Sequence, residues 1–270
     1  MKKFKNLLLC IDIDSTLIDD SHYISQNNLE AIQYFKSNGG KVTLASGRII
    51  TTVIPVAEII NVDYPVICFN GCGIYDIEKN KFLMFETIGK DALDTAMIIG
   101  KEFPSSGIEI FSKDTIYVLK YNDTVKKHIN SEKIKPVFID SINEIDFDIA
   151  KILFAQPQTD TFKIKEFFLK NTFNGSFRPL QAHSLYYELL NISSNKGVAL
   201  KKLCSKYQIS PENVIAIGDN DNDIEMIKFA GTGVAVGNAS EDLKKVADYI
   251  VSDNNHSAVY DLIKALDDRY

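Results

Sequence analysis

No stretch of this 270-residue chain is long and apolar enough to cross a membrane as a helix, and no excess of positive charge marks it as a nucleic-acid binder. Its 30 Lys and Arg residues face 36 Asp and Glu, a net charge of −6 with a pI near 5.3. A phosphate-backbone binder normally carries a basic patch or a high pI, so an anionic ligand here needs positive charge supplied locally. Cysteine is scarce. Cys10, Cys68, Cys72 and Cys204 lie in or beside apolar runs without two CxxC units, which argues against a zinc site or disulfides and for buried thiols in a reducing compartment. There is no internal repeat and no low-complexity tract. Lys2, Lys3 and Lys5 before Leu7-Leu8-Leu9-Cys10 imitate the start of a secretory signal. The apolar run is too short for one and meets Asp12 and Asp14 at once, so it reads as a first core strand in a cytoplasmic protein.

What is present is an ordinary globular composition, 45% hydrophobic and 24% charged, in a chain long enough for a full core and a second module. Strand and helix signals alternate as in a parallel sheet with crossover helices. Ser25 caps an expected helix carrying Leu29, Ile32 and Phe35, which Gly39-Gly40 ends. Strands are expected at 41–45 and 65–69, a helix at 52–60 and a sharp turn at Asn70-Gly71. A second regular block, from near Tyr187, holds helices at 197–207 and 224–229 and strands at 214–217, 234–236 and 249–251. All these strands are expected in one doubly wound, Rossmann-like α/β sheet. Residues 1–81 and 187–270 then form the core. Residues 82–186 differ in character, with hairpin-like segments and scattered aromatics, and read as an inserted α+β cap.

Open parallel sheets place ligand sites at the carboxyl ends of their strands. The first such end carries Asp12-Ile13-Asp14-Ser15-Thr16, two carboxylates at alternate positions, so that a continuing strand points both the same way. An acidic turn capping its own backbone is the plain alternative. A second acidic cluster, Gly218-Asp219-Asn220-Asp221-Asn222-Asp223, also follows a β-rich run, and a hard cation is a natural reason for the two to meet. Ser46-Gly47-Arg48 ends a third strand. Lys196 stands at the start of a predicted helix, where a cation opposes the dipole unless an anion lies near.

Together these describe phosphoryl transfer through an aspartyl-phosphate. Asp12 attacks phosphorus once Mg²⁺ and Lys196 have neutralised the phosphate, and Asp14 gives a proton to the leaving oxygen and later takes one from water. Ser46 and the backbone amides of Gly47 and Arg48 hold the non-bridging oxygens. Asp219 ligates Mg²⁺, with Asp223 supporting it or its waters, whereas for Asp221 capping is favoured over ligation. Plain structural readings stay open beside these: a strand-to-helix turn at Ser46-Gly47-Arg48, a positive-φ turn at Asn70-Gly71, a cap at Asp223.

In order along the chain, Asp12-Ile13-Asp14-Ser15-Thr16-Leu17, Ala45-Ser46-Gly47-Arg48, Asn195-Lys196-Gly197 and Gly218-Asp219-Asn220-Asp221-Asn222-Asp223 resemble the four motifs of the haloacid dehalogenase superfamily. Phe69-Asn70-Gly71 and the segment from Gly233 to Ala239 are similar to its Cof-like phosphatases with a type IIB cap. The resemblance implies Asp12 as nucleophile and Asp14 as acid and base. It implies the Asp12 side chain, the Asp14 backbone carbonyl and Asp219 as Mg²⁺ ligands, and Ser46, Lys196 and Asn222 as phosphate or substrate contacts. Ser15 departs from the glycine usual in Cof-like members, and Asn254-Asn255-His256-Ser257-Ala258-Val259 from an acidic residue followed by Gly-Val.

The expected function is Mg²⁺-dependent hydrolysis of a small phosphorylated metabolite, with neither nucleic acid nor membrane as partner. A phosphomutase uses the same chemistry, and a catalytically inactive sugar-phosphate sensor keeps the metal without turnover. A receiver module also pairs acidic residues and a lysine around Mg²⁺, but is about half as long and has no insertion.

Overall fold

The computed structural model describes residues 2–132, 134–157, 159–171, 173 and 175–269. From the N-terminus, strand β1 (Leu8–Ile11) leads to helix α1 (Gln26–Ser37), strand β2 (Lys41–Leu44), helix α2 (Ile50–Ile60) and strands β3 (Val66–Cys68), β4 (Gly73–Asp76) and β5 (Lys81–Phe85). Helix α3 (Asp91–Glu102), strands β6 (Gly107–Phe111) and β7 (Ile116–Lys120) and helix α4 (Asp123–Glu132) follow. Strands β8 (Val137–Phe138) and β9 (Lys151–Ala155), helix α5 (Thr161–Lys170) and strands β10 (Phe177–His183) and β11 (Tyr186–Asn191) come next. The C-terminal stretch holds α6 (Lys196–Tyr207), β12 (Val214–Gly218), α7 (Ile224–Phe229), β13 (Thr232–Ala235), α8 (Glu241–Val246), β14 (Tyr249–Ile250) and α9 (Ala258–Arg269).

These elements form two compact units. The first comprises Met1–Gly47, Val53–Leu83 and Asn195–Tyr270. Its central sheet is parallel, in the order β14-β13-β12-β1-β2. β1 and β12 are buried throughout, as strands covered on both faces must be, and their Leu, Ile, Val and Cys side chains fill those faces without the alternation of a one-sided sheet. β1 pairs Leu8 with Val214 and Ile11 with Ile217, so the two strands end level and deliver Asp12 and Gly218-Asp219 to the same edge. The strand expected at 65–69 is shorter and stands apart from the five. It pairs antiparallel with β4 and meets β2 through one parallel bridge, Ala45 to Ile67. Helix α1 begins as expected: Ser25 accepts the Asn28 amide at 3.2 Å.

The second unit comprises Arg48–Thr52 and Met84–Ser194. Its six-stranded sheet, β10-β11-β9-β6-β7-β8, is antiparallel except at the β7–β8 edge. Ile108, Ile110, Ile152, Phe154 and Leu189 share an apolar core with Ala92, Ala96 and Ile99 of α3 and Ile164 and Phe168 of α5. Charged strand residues find buried partners as well: Lys151 Nζ lies 2.5 Å from Glu188 Oε1, and Glu109 Oε2 lies 2.7 Å from Nδ1 of His128 in α4. The second core block, expected from residue 187, starts at Asn195 instead. Tyr186–Asn191 is central to this sheet, its Tyr187 and Leu189 belonging to the unit's own core.

Candidate active site

β1 ends at Ile11, and the Asp12 amide donates to the Ile217 carbonyl at 3.0 Å, one more parallel-sheet bond. Strand alternation therefore does not place Asp14. Residues Ile13–Leu17 form a tight turn in which Ser15 takes a left-handed φ of 55°. That conformation is the one glycine adopts freely, so Ser15 sits where its usual counterpart meets no steric cost. Asn238 Nδ2 donates to the Ser15 carbonyl at 2.9 Å and holds the turn closed. Just beyond, Asn254 and Asn255 both donate to the Asp20 carboxylate, each at 3.0 Å. The departure seen at 254–259 thus brings its own clamp on the segment that follows the turn.

Lys196 is the centre of the charge arrangement. It is 1% exposed, and its Nζ lies 2.6 Å from Asp12 Oδ1 and 2.6 Å from Asp223 Oδ1. Asn195 caps α6 by accepting the Val198 amide at 2.7 Å, which leaves Lys196 as the first residue of the helix. Two buried carboxylates compensate the unfavourable dipole at that end. The solvated surface position that a lysine ordinarily takes is excluded.

Asp223 is fully buried, and its Oδ2 accepts the backbone amides of Asp219 and Asn220 at 3.1 and 3.2 Å. Its carboxyl occupies the space beside Gly218, where a Cβ would come within 2.5 Å of Asp223 Cγ. Asp221 is exposed and bonded to Ser240 Oγ at 2.7 Å, while Asn220 caps the loop. Asp12, Asp219 and Asp223 each bring a carboxylate oxygen to within 4.8 Å of the other two, the one such group among the described residues. Asp14 is partly buried and its side chain is not a member.

Burial raises the Asp12 carboxyl to about 7; Lys196 opposes that rise, and the charges of Asp223 and Asp14 add to it. Asp219 is pushed up to about 9 by burial, then by Asp12 and Asp223. Lys196 is held above the usual lysine value: burial lowers it, but Asp12 and Asp223 outweigh burial. Three carboxylates and one ammonium leave an excess of buried negative charge, and all the donors are hard oxygens, so the residues fit a divalent cation. The folded state holds these protons more tightly than the unfolded chain. The metal-free protein therefore loses stability as pH climbs out of the ordinary carboxylate range and through about 7 and about 9. A cation must displace the protons, so its stabilisation grows over the same window. The rise in Tm on adding Mg²⁺ is expected to be larger at about pH 8.5 than at about pH 6. An equal rise at both would contradict this charge balance.

Ser46 is completely buried. Its amide donates to the Ile67 carbonyl at 2.9 Å and its carbonyl accepts the Asn70 amide at 3.0 Å. Gly47 lies against the Asn70 side chain, where a Cβ would meet Nδ2 at 2.9 Å. Arg48 groups with the second unit. Asn222 Nδ2 donates to Asn70 Oδ1 at 2.9 Å, so Asn70, read from the sequence as a turn residue, joins the turn to the loop that follows β12. The turn is confirmed as well: Phe69, Asn70 and Gly71 have φ of 52°, 53° and 96°. A Cβ on Gly71 would stand 2.2 Å from the Asn195 carbonyl oxygen, beside Lys196. Gly71→Ala is expected to cost about 1–3 kcal/mol from strain and overpacking, read as a lower Tm.

A profile of haloacid dehalogenase-like hydrolases matches residues 9–263. The chain belongs to that family. That membership makes the protein a hydrolase with the family's α/β core and a Cof-like organisation. It is similar to a 5-amino-6-(5-phospho-D-ribitylamino)uracil phosphatase of Bacillus subtilis strain 168, 25% identical over 263 residues covering 96% of this chain and 97% of the relative. A solved haloacid dehalogenase-like hydrolase from B. subtilis superposes with a TM-score of 0.84 at 26% identity, over 95% of this chain and 98% of that one. A subclass IIB sugar phosphatase shares the fold, with a TM-score of 0.83 at 19% identity over 97% and 99% of the two chains. Among the described residues no helix is long and apolar enough to cross a membrane, and all four cysteines are buried and none forms a disulfide.

Proposed function

We propose that this protein is a Mg²⁺-dependent phosphatase that hydrolyses a small phosphomonoester through an aspartyl-phosphate on Asp12. The observation that carries the reading is Lys196, buried between Asp12 and Asp223 at 2.6 Å from each, with Asp219 close by. An ammonium so placed holds the Asp12 carboxylate in one orientation and offsets charge where a phosphate dianion arrives. Asp12, Asp219 and the Asp14 backbone carbonyl would hold the cation, and Asp223 would act on it through Lys196 and the Asp219 amide. When bound, the cation lowers the barrier to one anion approaching another.

An oxygen of Asp12 forms a bond to phosphorus as the ester P–O bond breaks, and Asp14 delivers its proton to the departing alkoxide. Asp14, now a carboxylate, takes a proton from the water that next attacks phosphorus. Asp12 is released and inorganic phosphate leaves. Ser46 and the amides of Gly47 and Arg48 would hold the non-bridging oxygens. The second unit would select the leaving group, as an inserted cap formed by its long segment, Met84–Ser194. Relatives named for a phosphoribitylamino compound and for sugar phosphates support a polyhydroxylated metabolite as substrate. The buried reduced thiols and the low pI fit a cytoplasmic setting.

The test is p-nitrophenyl phosphate hydrolysis with Mg²⁺ and with excess chelator: turnover with metal and none without is expected, and chelator-insensitive turnover overturns the reading. Absence of turnover with retained Mg²⁺ binding would indicate a sensor, and transfer of phosphate within a sugar phosphate without release a mutase. Asp14→Asn should lower kcat by about 10²- to 10⁴-fold, the range for losing a general acid and base. Its Mg²⁺-induced rise in Tm should persist, since the side chain is not a ligand.

A further inference from the structure

Ser15 holds a φ of 55°, a region where a side chain meets a steric cost that glycine escapes. The conformation of Ser15 also sets the tilt of the Asp14–Ser15 peptide, and with it the direction of the Asp14 backbone carbonyl. The hydrogen bond from Asn238 Nδ2 to the Ser15 carbonyl, at 2.9 Å, is placed to hold that conformation. Asn238 is itself oriented. Its Oδ1 accepts the Asn254 amide at 3.0 Å, which leaves Nδ2 as the end offered to Ser15. Asn254 is 3% exposed, and its Nδ2 donates to the Ile18 carbonyl at 3.3 Å, just past the turn. The loop that carries Asn238 reaches the other acidic segment as well. The Val236 amide donates to the Gly218 carbonyl at 3.1 Å, and the Ser240 amide to the Asp219 carbonyl at 2.8 Å. Residues 236–240 thus tie the turn that follows Asp12 to the loop that carries Asp219 and Asp223, the carboxylates gathered with Asp12.

We propose that Asn238 is a positioning residue: by holding Ser15 in its left-handed conformation it aims the Asp14 backbone carbonyl at the cation and the Asp14 carboxyl at the leaving oxygen. The inference rests on the phosphatase reading and adds to it a residue outside the four motifs. Asn238 touches neither cation nor substrate in this scheme. Without its hydrogen bond Ser15 can relax toward negative φ, and the Asp14–Ser15 peptide turns with it. The loss then falls on metal affinity and turnover. Substrate affinity at saturating Mg²⁺ is spared, because Ser46 and Lys196 are the groups assigned to the phosphate.

Asn238 is exposed, so truncating it opens no cavity. Asn238→Ala is expected to lower kcat for p-nitrophenyl phosphate at saturating Mg²⁺ by about tenfold or more, with KM within about twofold of the parent. Metal-free Tm should stay within about 2 °C of the parent. The rise in Tm at a fixed, sub-saturating Mg²⁺ concentration should shrink, a readout independent of turnover. Asn238→Asp keeps the acceptor for Asn254 but sets an oxygen against the Ser15 carbonyl, and should lose as much as Asn238→Ala. In a Ser15→Gly background the left-handed turn carries no steric cost, so the loss in kcat caused by Asn238→Ala should shrink by at least about threefold. An equal loss in both backgrounds would overturn the proposal, as would parent-like turnover of Asn238→Asp or a change confined to KM. No turnover by the unsubstituted protein with Mg²⁺ would be a failure of the phosphatase reading, a distinct result. The Mg²⁺-induced Tm rise of Asn238→Ala would then decide the positioning role, and a rise equal to the parent's would overturn it.

Discussion

Asp12→Asn should reduce p-nitrophenyl phosphate turnover by at least about 10⁴-fold, to near the uncatalysed background, while the protein remains folded. The amide is nearly the same size and can still accept from Lys196, so the 2.6 Å contact need not be lost. What is lost is the anionic oxygen that attacks phosphorus. The substitution also removes one of three carboxylates that share a small volume, and with it one source of the rise in the Asp219 carboxyl. The replacement amide carries no charge to repel its neighbours, so the metal-free variant should be no less stable than the parent, and its response to Mg²⁺ should shrink. Circular dichroism, Tm with and without Mg²⁺, and burst kinetics with a fast phosphate ester check the three parts. A variant that keeps even about one hundredth of the parent rate would sink the aspartyl-phosphate, since general acid catalysis and charge stabilisation alone do not replace a missing nucleophile.

Lys196→Met should have the largest effect on stability. Among the described residues the Lys196 ammonium is the one cation within 4 Å of the carboxylates of Asp12 and Asp223, which are 5% and 0% exposed at their side chains. Removing one partner of a buried ionic network leaves the other charges desolvated and uncompensated, a cost of about 3–5 kcal/mol. For a chain of this size that is a fall in Tm of roughly 10 °C. Methionine fills a similar volume, so packing loss is a minor part. The sign with pH follows from the carboxylates: without Lys196 their protonated forms are favoured further, so the loss should be smaller at low pH and larger at high pH. Mg²⁺ should restore part of the lost stability because it supplies positive charge to the same oxygens, whereas Na⁺ at equal ionic strength should not. A Tm within about 2 °C of the parent in the metal-free state would refute the network's structural weight. Turnover should fall steeply even where folding is rescued.

Much of this site is legible because its chemistry is carried by residues at strand ends, and strand ends are marked by abrupt change from apolar runs to Asp, Ser or Gly. Leu7 to Ile11 and Val214 to Ile217 announce buried parallel strands, and their parallel pairing puts Asp12 and Asp219 at one edge. Lys196 and Asp12 are 184 residues apart in the chain, and only the dipole conflict at a helix start hints that they meet. The role of Asp14 illustrates a limit of local reasoning. Alternation along a strand holds only while the strand lasts, and here it stops at Ile11, so the turn from Ile13 to Leu17 decides where Asp14 points. The core block begins at Asn195 rather than near residue 187 for a related reason: Tyr186–Asn191 has the same β-rich pattern whichever sheet it joins, and its partners β9 and β10 are what assign it. Arg48 is adjacent in sequence to Ser46 and Gly47, yet its contacts group it with the second unit.

By itself the sequence determined the class of chemistry: two acidic motifs, a lysine and a small hydroxyl residue in a set order, on an α/β pattern interrupted by an insertion. Its reading already assigned attack to Asp12 and proton transfer to Asp14, although the two residues are of one type and two positions apart. Their different surroundings came from the tertiary structure. Asp12 is buried against Lys196 and joined to Asp219 and Asp223, while Asp14 stands outside that group in a turn. It also decided that Asn70 joins Gly47 to Asn222, a contact spanning 152 residues. Charge and residue type are written along the chain, but burial and the distance between groups far apart in sequence arise only when the strands pair, and those two quantities set what each carboxylate and amide can do.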